Sequence, residues 1–235
     1  MRVVDLGVMA HHEAEALQLA TLAEVLAGGE QTLFLVEHPK VITLGRQGGQ
    51  ENLHVNAAFL ANQGIELAQT RRGGNITCHF PGQLVAYPIF RVDRRRGGIR
   101  QFFADMEEAV IRTTAQFSVR TVRRPGFPGV WVADQTNVRA GIQADIQTDI
   151  RTDVQAGARK ICSMGIGVKR GVTYHGLALN VGPDVSLFQL ITLCGISGAA
   201  ATSLSREAGR EIAMKEVKDV LAEEFRALFA HPALA

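Results

Sequence analysis

The sequence predicts an α/β (α+β) domain, and three observations carry that prediction. Short runs rich in β-branched and aromatic residues recur along the chain, punctuated by Gly and Pro. Between them lie segments whose apolar residues return at helical spacing. The alternation of the two is too irregular for a doubly wound nucleotide fold.

Taken in order, residues 12–27 read as a helix, rich in Ala, Leu and Glu and stopped by Gly28-Gly29. Residues 32–37 (TLFLVE) and 41–44 read as strands on either side of His38-Pro39. Residues 65–69 and 84–89 add two more. Ile99, Phe102, Phe103, Met106 and Val110 fit one helical face. Residues 117–122, 129–132, 161–168 and 177–181 read as strands. Residues 205–229 read as one long helix, with Met214, Val217, Leu221, Phe225 and Leu228 as its stripe and Ser205 as its cap. No Ser/Pro/Gly-rich linker divides the chain, so a single domain over residues 1–235 is expected. Residues 134–157 are expected to be a surface insertion. Within it, Ile142, Ile146, Ile150 and Val154 alternate with Asp145, Asp149 and Asp153 at a period of four, without the ligand spacing of a calcium loop.

Composition narrows the function classes. The chain has 235 residues, 46% hydrophobic and 20% charged, which excludes a disordered chain. The formal net charge of +2 and 6% aromatic content give no support for a nucleic-acid surface. Arginines nonetheless cluster, as Arg71 and Arg72, as Arg91, Arg94, Arg95, Arg96 and Arg100, and as Arg120, Arg123 and Arg124. Such clusters suit the docking of an acidic partner. The three cysteines make no disulfide framework, and no secretory signal or membrane span is visible, so a cytoplasmic setting is expected. A monomer is expected, since no apolar repeat calls for a partner copy. There is no CxxC or HExxH, so no metal site is expected, and His11-His12 is read as solvent-facing.

Three stretches concentrate chemistry. Residues 71–88 (RRGGNITCHFPGQLVAYP) combine paired glycines with His79, Cys78 and Gln83. They read either as a tight turn with a core strand or as the wall of a small-molecule pocket; neither a phosphate loop nor a dinucleotide fingerprint fits. If the segment is extended, Cys78 and His79 point to opposite faces and do not cooperate. In residues 159–181, Lys160 is either a strand-edge charge or a lysine held against an active site, followed by His175-Gly176 and Asn180. Cys194 sits between Leu193 and Gly195 ahead of the last helical segment, either as an inert buried thiol or as a reachable one on a turn, where a nearby ammonium favours the thiolate.

Together these stretches resemble the lipoyl (octanoyl) transferase family, which is related to the catalytic domain of biotin and lipoate protein ligases. The family pattern RGGxxTYHGPGQLVxYP is similar to residues 72–88; KIxxxG[IV] matches Lys160, Ile161, Gly165 and Ile166; HGxALN matches His175, Gly176, Ala178, Leu179 and Asn180; PCG matches Cys194 and Gly195. The resemblance spans nearly the whole chain. It implies a mixed, largely antiparallel sheet flanked by helices. It implies transfer of an octanoyl group from octanoyl-acyl carrier protein, through a thioester on Cys194, to a lysine of a lipoyl domain, with Lys160 as thiolate stabiliser and general acid/base. The acceptors would be lipoyl domains of 2-oxoacid dehydrogenase complexes and the glycine cleavage H protein. Neither ATP nor metal would be needed. Substrate-lining positions carried over are Arg72, Gly73, Gly74, Asn75, Ile76, Thr77, Cys78, His79, Ser163, Met164, Gly165, His175, Gly176 and Leu177.

The chain departs from the pattern at four places. Cys78 replaces the tyrosine, Phe80 replaces a glycine and is expected to narrow the pocket or redirect the acyl chain, Leu193 replaces the proline, and the 132–160 connection is long. Alternative readings are an ATP-dependent lipoate or biotin ligase, a lipoyl amidotransferase, and a non-catalytic scaffold that binds carrier domains. The acyl donor discriminates among them.

Overall fold

The computed structural model describes residues 1–93, 95–133, 158–193 and 198–229. Strand β1 (Arg2–Val8) leads into helix α1 (His11–Leu26), then β2 (Thr32–Glu37) and β3 (Val41–Leu44). Helix α2 (Ala57–Asn62), β4 (Glu66–Gln69), β5 (Ile76–His79) and β6 (Gln83–Ile89) follow. Helix α3 (Gly98–Gln116) precedes β7 (Thr121–Arg124), β8 (Phe127–Val132), β9 (Arg159–Lys169) and β10 (Val172–Asn180). The chain then forms β11 (Ala200–Ala201), α4 (Leu204–Ala208) and α5 (Met214–Phe229).

The main sheet runs β1-β2-β6-β10-β9-β8-β7, with β11 beside β9. Its pairs are antiparallel apart from β1 with β2 and β11 with β9. A smaller sheet runs β4-β3-β5. This is the mixed, largely antiparallel architecture flanked by helices that the sequence implied.

Strand alternation assigns the two faces. Leu33 and Leu35 of β2 pack under α3 and α5 with Phe102, Met106, Val217, Leu221 and Phe225. Phe34 and Val36 turn the other way, against Ala14, Leu22 and Val25 of α1. Because side chains alternate along a strand, the apolar run Leu33 to Val36 of β2 serves both layers. A third apolar cluster joins the small sheet to α2 and to the 3-10 turn at Ser186–Leu190.

Several expectations need correction. The predicted helix at 205–229 is two helices, because Gly209 takes a left-handed φ of 65° and ends α4. Ser203, not Ser205, caps α4, accepting from the Arg206 N–H, while Ser205 Oγ accepts from the Ile212 N–H across the break. The strand predicted at 117–122 begins at Thr121: Phe117 closes α3 and Ser118 is left-handed at φ 63°. Ile99 is exposed rather than part of the α3 stripe. Strands β1 and β5 and helix α2 were not read from the pattern. The predicted insertion at 134–157 lies outside the described residues.

The arginine clusters are partly consumed inside the molecule. Arg91 pairs with Asp93, Arg95 with Asp105, and Arg123 with Glu107 and Glu108. Arg72 is buried, while Arg71, Arg96, Arg100 and Arg120 are exposed; Arg94 lies outside the described residues. Among the described residues, no helix is long and apolar enough to cross a membrane.

Candidate active site

A cavity of about 380 Å³ opens between the two sheets and the start of α1. That volume suits a small-molecule ligand. One wall is the β5 stretch, with Arg72, Gly74, Asn75, Ile76, Thr77 and His79. The floor is β9 and β10, with Lys160, Ser163, Met164, Gly165, His175, Gly176 and Leu177. Thirteen of the sixteen positions singled out in the sequence therefore meet at one cavity, as these two groups enumerate.

The other three do not appear on its wall. Gly73 is turned into the scaffold, its N–H donating to the Ile166 carbonyl at 2.9 Å. Cys78 packs into the small-sheet cluster, on the opposite face of β5 from His79, as alternation along a strand requires. Cys194 lies outside the described residues. Phe80 also misses the cavity: it is buried in the small-sheet cluster against Phe188, at 5.7 Å between ring centroids. It therefore neither narrows the described cavity nor lines it.

Sequence reasoning missed His11, Gln47, Val85, Tyr87, Ala178, and Gly126 with the start of β8, Phe127 and Pro128, all on the wall. His11 is the sharpest miss. It is buried at 3% exposure, while its neighbour His12 faces solvent. The helical phase of α1 carries the signal, since Ala14, Gln18, Leu22 and Val25 share the buried face with His11.

The cavity wall is built on fixed hydrogen bonds. The Arg72 guanidinium is spread over Thr43, donating to its carbonyl at 2.6 Å and to Oγ1 at 2.9 Å. Gly165 lets the β5 stretch lie against β9, because a Cβ there would stand 2.6 Å from the Gly73 carbonyl oxygen. His79 donates from Nδ1 to Gln83 Oε1 at 2.7 Å. The Gln83 amide nitrogen is committed to two acceptors, the Cys78 carbonyl and Asn180 Oδ1, so its oxygen must be the acceptor and His79 carries its proton on Nδ1. The same logic fixes His38: Nδ1 donates to the Met9 carbonyl at 2.7 Å, leaving Nε2 to accept from the Tyr87 hydroxyl at 2.9 Å. His11, His38 and His79 lie 5.5–5.9 Å apart by ring centroid. Two buried polar atoms at the cavity, Thr77 Oγ1 and His175 Nε2, have no hydrogen-bond partner among the described residues.

Burial holds these histidines neutral. It lowers His11 to about 4 and His175 to about 3, and pushes His38 and His79 below their ordinary value, with neighbouring cations adding to the effect at His11, His79 and His175. The unfolded chain therefore binds protons more readily than the folded one below about pH 6.5. Stability should be fully present above that pH and fall as the pH drops toward 4. Each histidine contributes up to about 1.4 kcal/mol per pH unit within its own window. Urea midpoints at pH 7, 6 and 5 test this, and a flat profile would contradict it.

Lys160 is 3% exposed, its Nζ 5.1 Å from the centre of the Trp131 ring. It lies on β9 opposite Trp131 of β8. The described chain on either side of residues 194–197 is anchored by hydrogen bonds. Upstream, the Thr192 N–H donates to the Asn52 carbonyl at 2.8 Å, and its hydroxyl meets His54 Nε2 at 2.8 Å. Downstream, Ala200 and Ala201 pair with Arg159 and Lys160, and the Thr202 N–H donates to the Lys160 carbonyl at 3.0 Å. The strand that follows the Cys194 segment thus runs beside the lysine.

Comparison with known proteins agrees with this geometry. Residues 11–226 match the model of the lipoyl protein ligase A/B catalytic domain. An octanoyltransferase of Nitratidesulfovibrio vulgaris (strain DP4) is 56% identical over 100% of this chain and 97% of its own. One from Maridesulfovibrio salexigens is 51% identical over 100% and 99%. Among solved structures, a bipartite lipoate protein ligase from Thermoplasma acidophilum superposes with a TM-score of 0.69 at 16% identity, covering 99% of this chain and 85% of its own, a likeness of fold. Cavity, motifs and full-length likeness agree: the chain belongs to the lipoyl protein ligase A/B catalytic domain family.

Proposed function

We propose that this chain is an octanoyltransferase. It moves an octanoyl group from the thioester of octanoyl-acyl carrier protein to the ε-amine of a lysine on a lipoyl domain, through a thioester on Cys194. The full-length likeness to octanoyltransferases carries the reading. The buried Lys160 on the cavity floor supports it.

The chemistry balances as follows. The Cys194 thiolate attacks the donor's thioester carbonyl, and the bond to the carrier's sulfur breaks. The leaving thiolate takes a proton from the Lys160 ammonium. Neutral Lys160 then takes a proton from the acceptor's ammonium, and the freed amine attacks the acyl-enzyme. Collapse expels the Cys194 thiolate, leaves the octanoyl amide, and releases the second nitrogen proton to solvent. The thioester keeps the acyl group activated throughout, so the sequence of steps draws on neither ATP nor metal. Apolar wall residues such as Ile76, Val85, Met164 and Leu177 suit the acyl chain. At ~0.8 kcal/mol per buried CH₂, an eight-carbon chain gains several kcal/mol there.

The acceptors this reading implies are lipoyl domains of 2-oxoacid dehydrogenase complexes and the glycine cleavage H protein, met in the cytoplasm. The exposed Arg71, Arg96, Arg100 and Arg120 are available to an acidic carrier.

Intact mass tests the reading. Mixing with octanoyl-acyl carrier protein, without ATP, should add about 126 Da, the octanoyl group replacing a proton in a covalent acyl-enzyme. Hydroxylamine should remove the adduct, and a Cys194→Ser variant should not form the thioester. No adduct on the unaltered protein would overturn the reading.

A further inference from the structure

We infer that Trp131 and Glu107 form a wall that holds the Lys160 side chain as an ammonium at the cavity, making both of them positioning residues for acyl transfer. This rests on the proposed role of Lys160.

Trp131 is fully buried, and its indole N–H donates to the Phe127 carbonyl at 3.1 Å, which fixes the ring plane. The ring faces Lys160 Nζ at 5.1 Å, within the reach of a cation–π contact. The Arg124 guanidinium also lies over the ring, at 5.4 Å. Glu107 reaches across from α3. Its carboxylate accepts from the Gly129 N–H at 3.1 Å and lies 3.4 Å from the Arg123 guanidinium. Burial pushes its carboxyl upward, against the pull of the Gly129 N–H, Arg123 and Lys160.

Gly129 closes the arrangement. It is left-handed at φ 108°, and a Cβ there would stand 2.8 Å from Lys160 Cε and run into the Cys162 carbonyl oxygen. The Glu107 bond thus holds a stretch of backbone that lies against the lysine stem. Among the described residues, the charged and titratable groups in this region are Glu107 from α3, Arg123 and Arg124 from β7, and Cys162 from β9. Within this set, Glu107 is the carboxylate, and Lys160 is among the charges that pull on it. Arg123 and Arg124 bring like charge to the same region, while Trp131 sets an aromatic face against the lysine and Glu107 brings a carboxylate to the backbone beside it.

The pH dependence of the first half-reaction reads this directly. Acyl-enzyme formation from octanoyl-acyl carrier protein, followed by intact mass from about pH 6 to about pH 10, needs Cys194 ionised and Lys160 protonated, so it should fall on the alkaline side. In Lys160→Met that alkaline fall should vanish. In Trp131→Leu and Glu107→Gln it should move to lower pH by about half a unit to one unit, and in Trp131→Phe, which keeps a weaker aromatic face, by less. Glu107→Gln retains an acceptor for the Gly129 N–H, so it removes charge with little change of shape and carries the test if Trp131→Leu fails to fold. Lower rates at every pH with an unmoved alkaline fall would overturn the wall and leave a purely structural role. If Lys160→Met kept the alkaline fall, the assigned role of Lys160 would itself be overturned, and the wall with it.

Discussion

Lys160→Met should lower overall octanoyl transfer by about 10²–10⁴-fold while leaving the fold almost unchanged. The magnitude follows from the two duties the lysine would hold. It supplies a proton to the departing carrier thiolate, and it removes one from the acceptor's ammonium. Methionine can do neither. The fold should persist because the lysine stem is packed between Trp131 and Gly129, and methionine offers a stem of similar length to the same surfaces. Removing the buried ammonium also removes its cost of burial. Single-turnover rates of each half-reaction, with a melting curve as control, check the expectation. A variant that melts like the parent and transfers at the parent rate would remove Lys160 from the chemistry. Slow acylation joined to slow deacylation would support both duties, and a loss confined to one half-reaction would assign the lysine to that step alone.

The sequence made some elements legible because their signals are local. Residues 32–37 and 41–44 match β2 and β3 residue for residue, since both are short apolar runs with Pro39 and Gly45 as punctuation. The α5 stripe is equally local: Val217, Leu221 and Phe225 are fully buried, as their spacing predicted. Errors arose where two patterns overlap. Phe117 and Val119 are buried at alternate positions and mimic a strand, yet they belong to the turn that closes α3. Residues 205–229 kept a helical pattern through Gly209, whose left-handed backbone ends one helix before the next begins.

At the site, the motif residues were legible because they fall in dense runs on adjacent strands. The supporting histidines were not. His38 meets the Met9 carbonyl 29 residues away and Tyr87 at a separation of 49, distances no local pattern encodes. Trp131 and Lys160 become neighbours only through the β8–β9 pairing. The reading of His11 as solvent-facing failed for the same reason. The wall opposite it, His79 and Tyr87, is supplied by elements more than sixty residues downstream.

Gln83→Leu should cost about 2–5 kcal/mol, a large share of the stability of an ordinary domain. Leucine fills nearly the same volume, so the loss is one of hydrogen bonds rather than packing. Gln83 is fully buried and makes three of them, accepting from His79 Nδ1 and donating to the Cys78 carbonyl and Asn180 Oδ1. Removing it strands the His79 N–H and the Asn180 amide oxygen in the interior, and an unpaired buried polar group costs about 1–3 kcal/mol. Asn180 in turn donates to the Thr202 carbonyl at 2.8 Å, and Thr202 is the residue bonded to the Lys160 backbone, so the disturbance reaches the lysine's strand. Urea unfolding of Gln83→Leu, His79→Phe and the double variant separates the terms. His79→Phe removes the donor that Gln83→Leu would strand, so the double variant should be less destabilised than the sum of the singles by about 0.5–3 kcal/mol. Strict additivity would mean that the two side chains do not share a bond. The tautomer assigned to His79, with its lone pair on Nε2, would then lose its foundation.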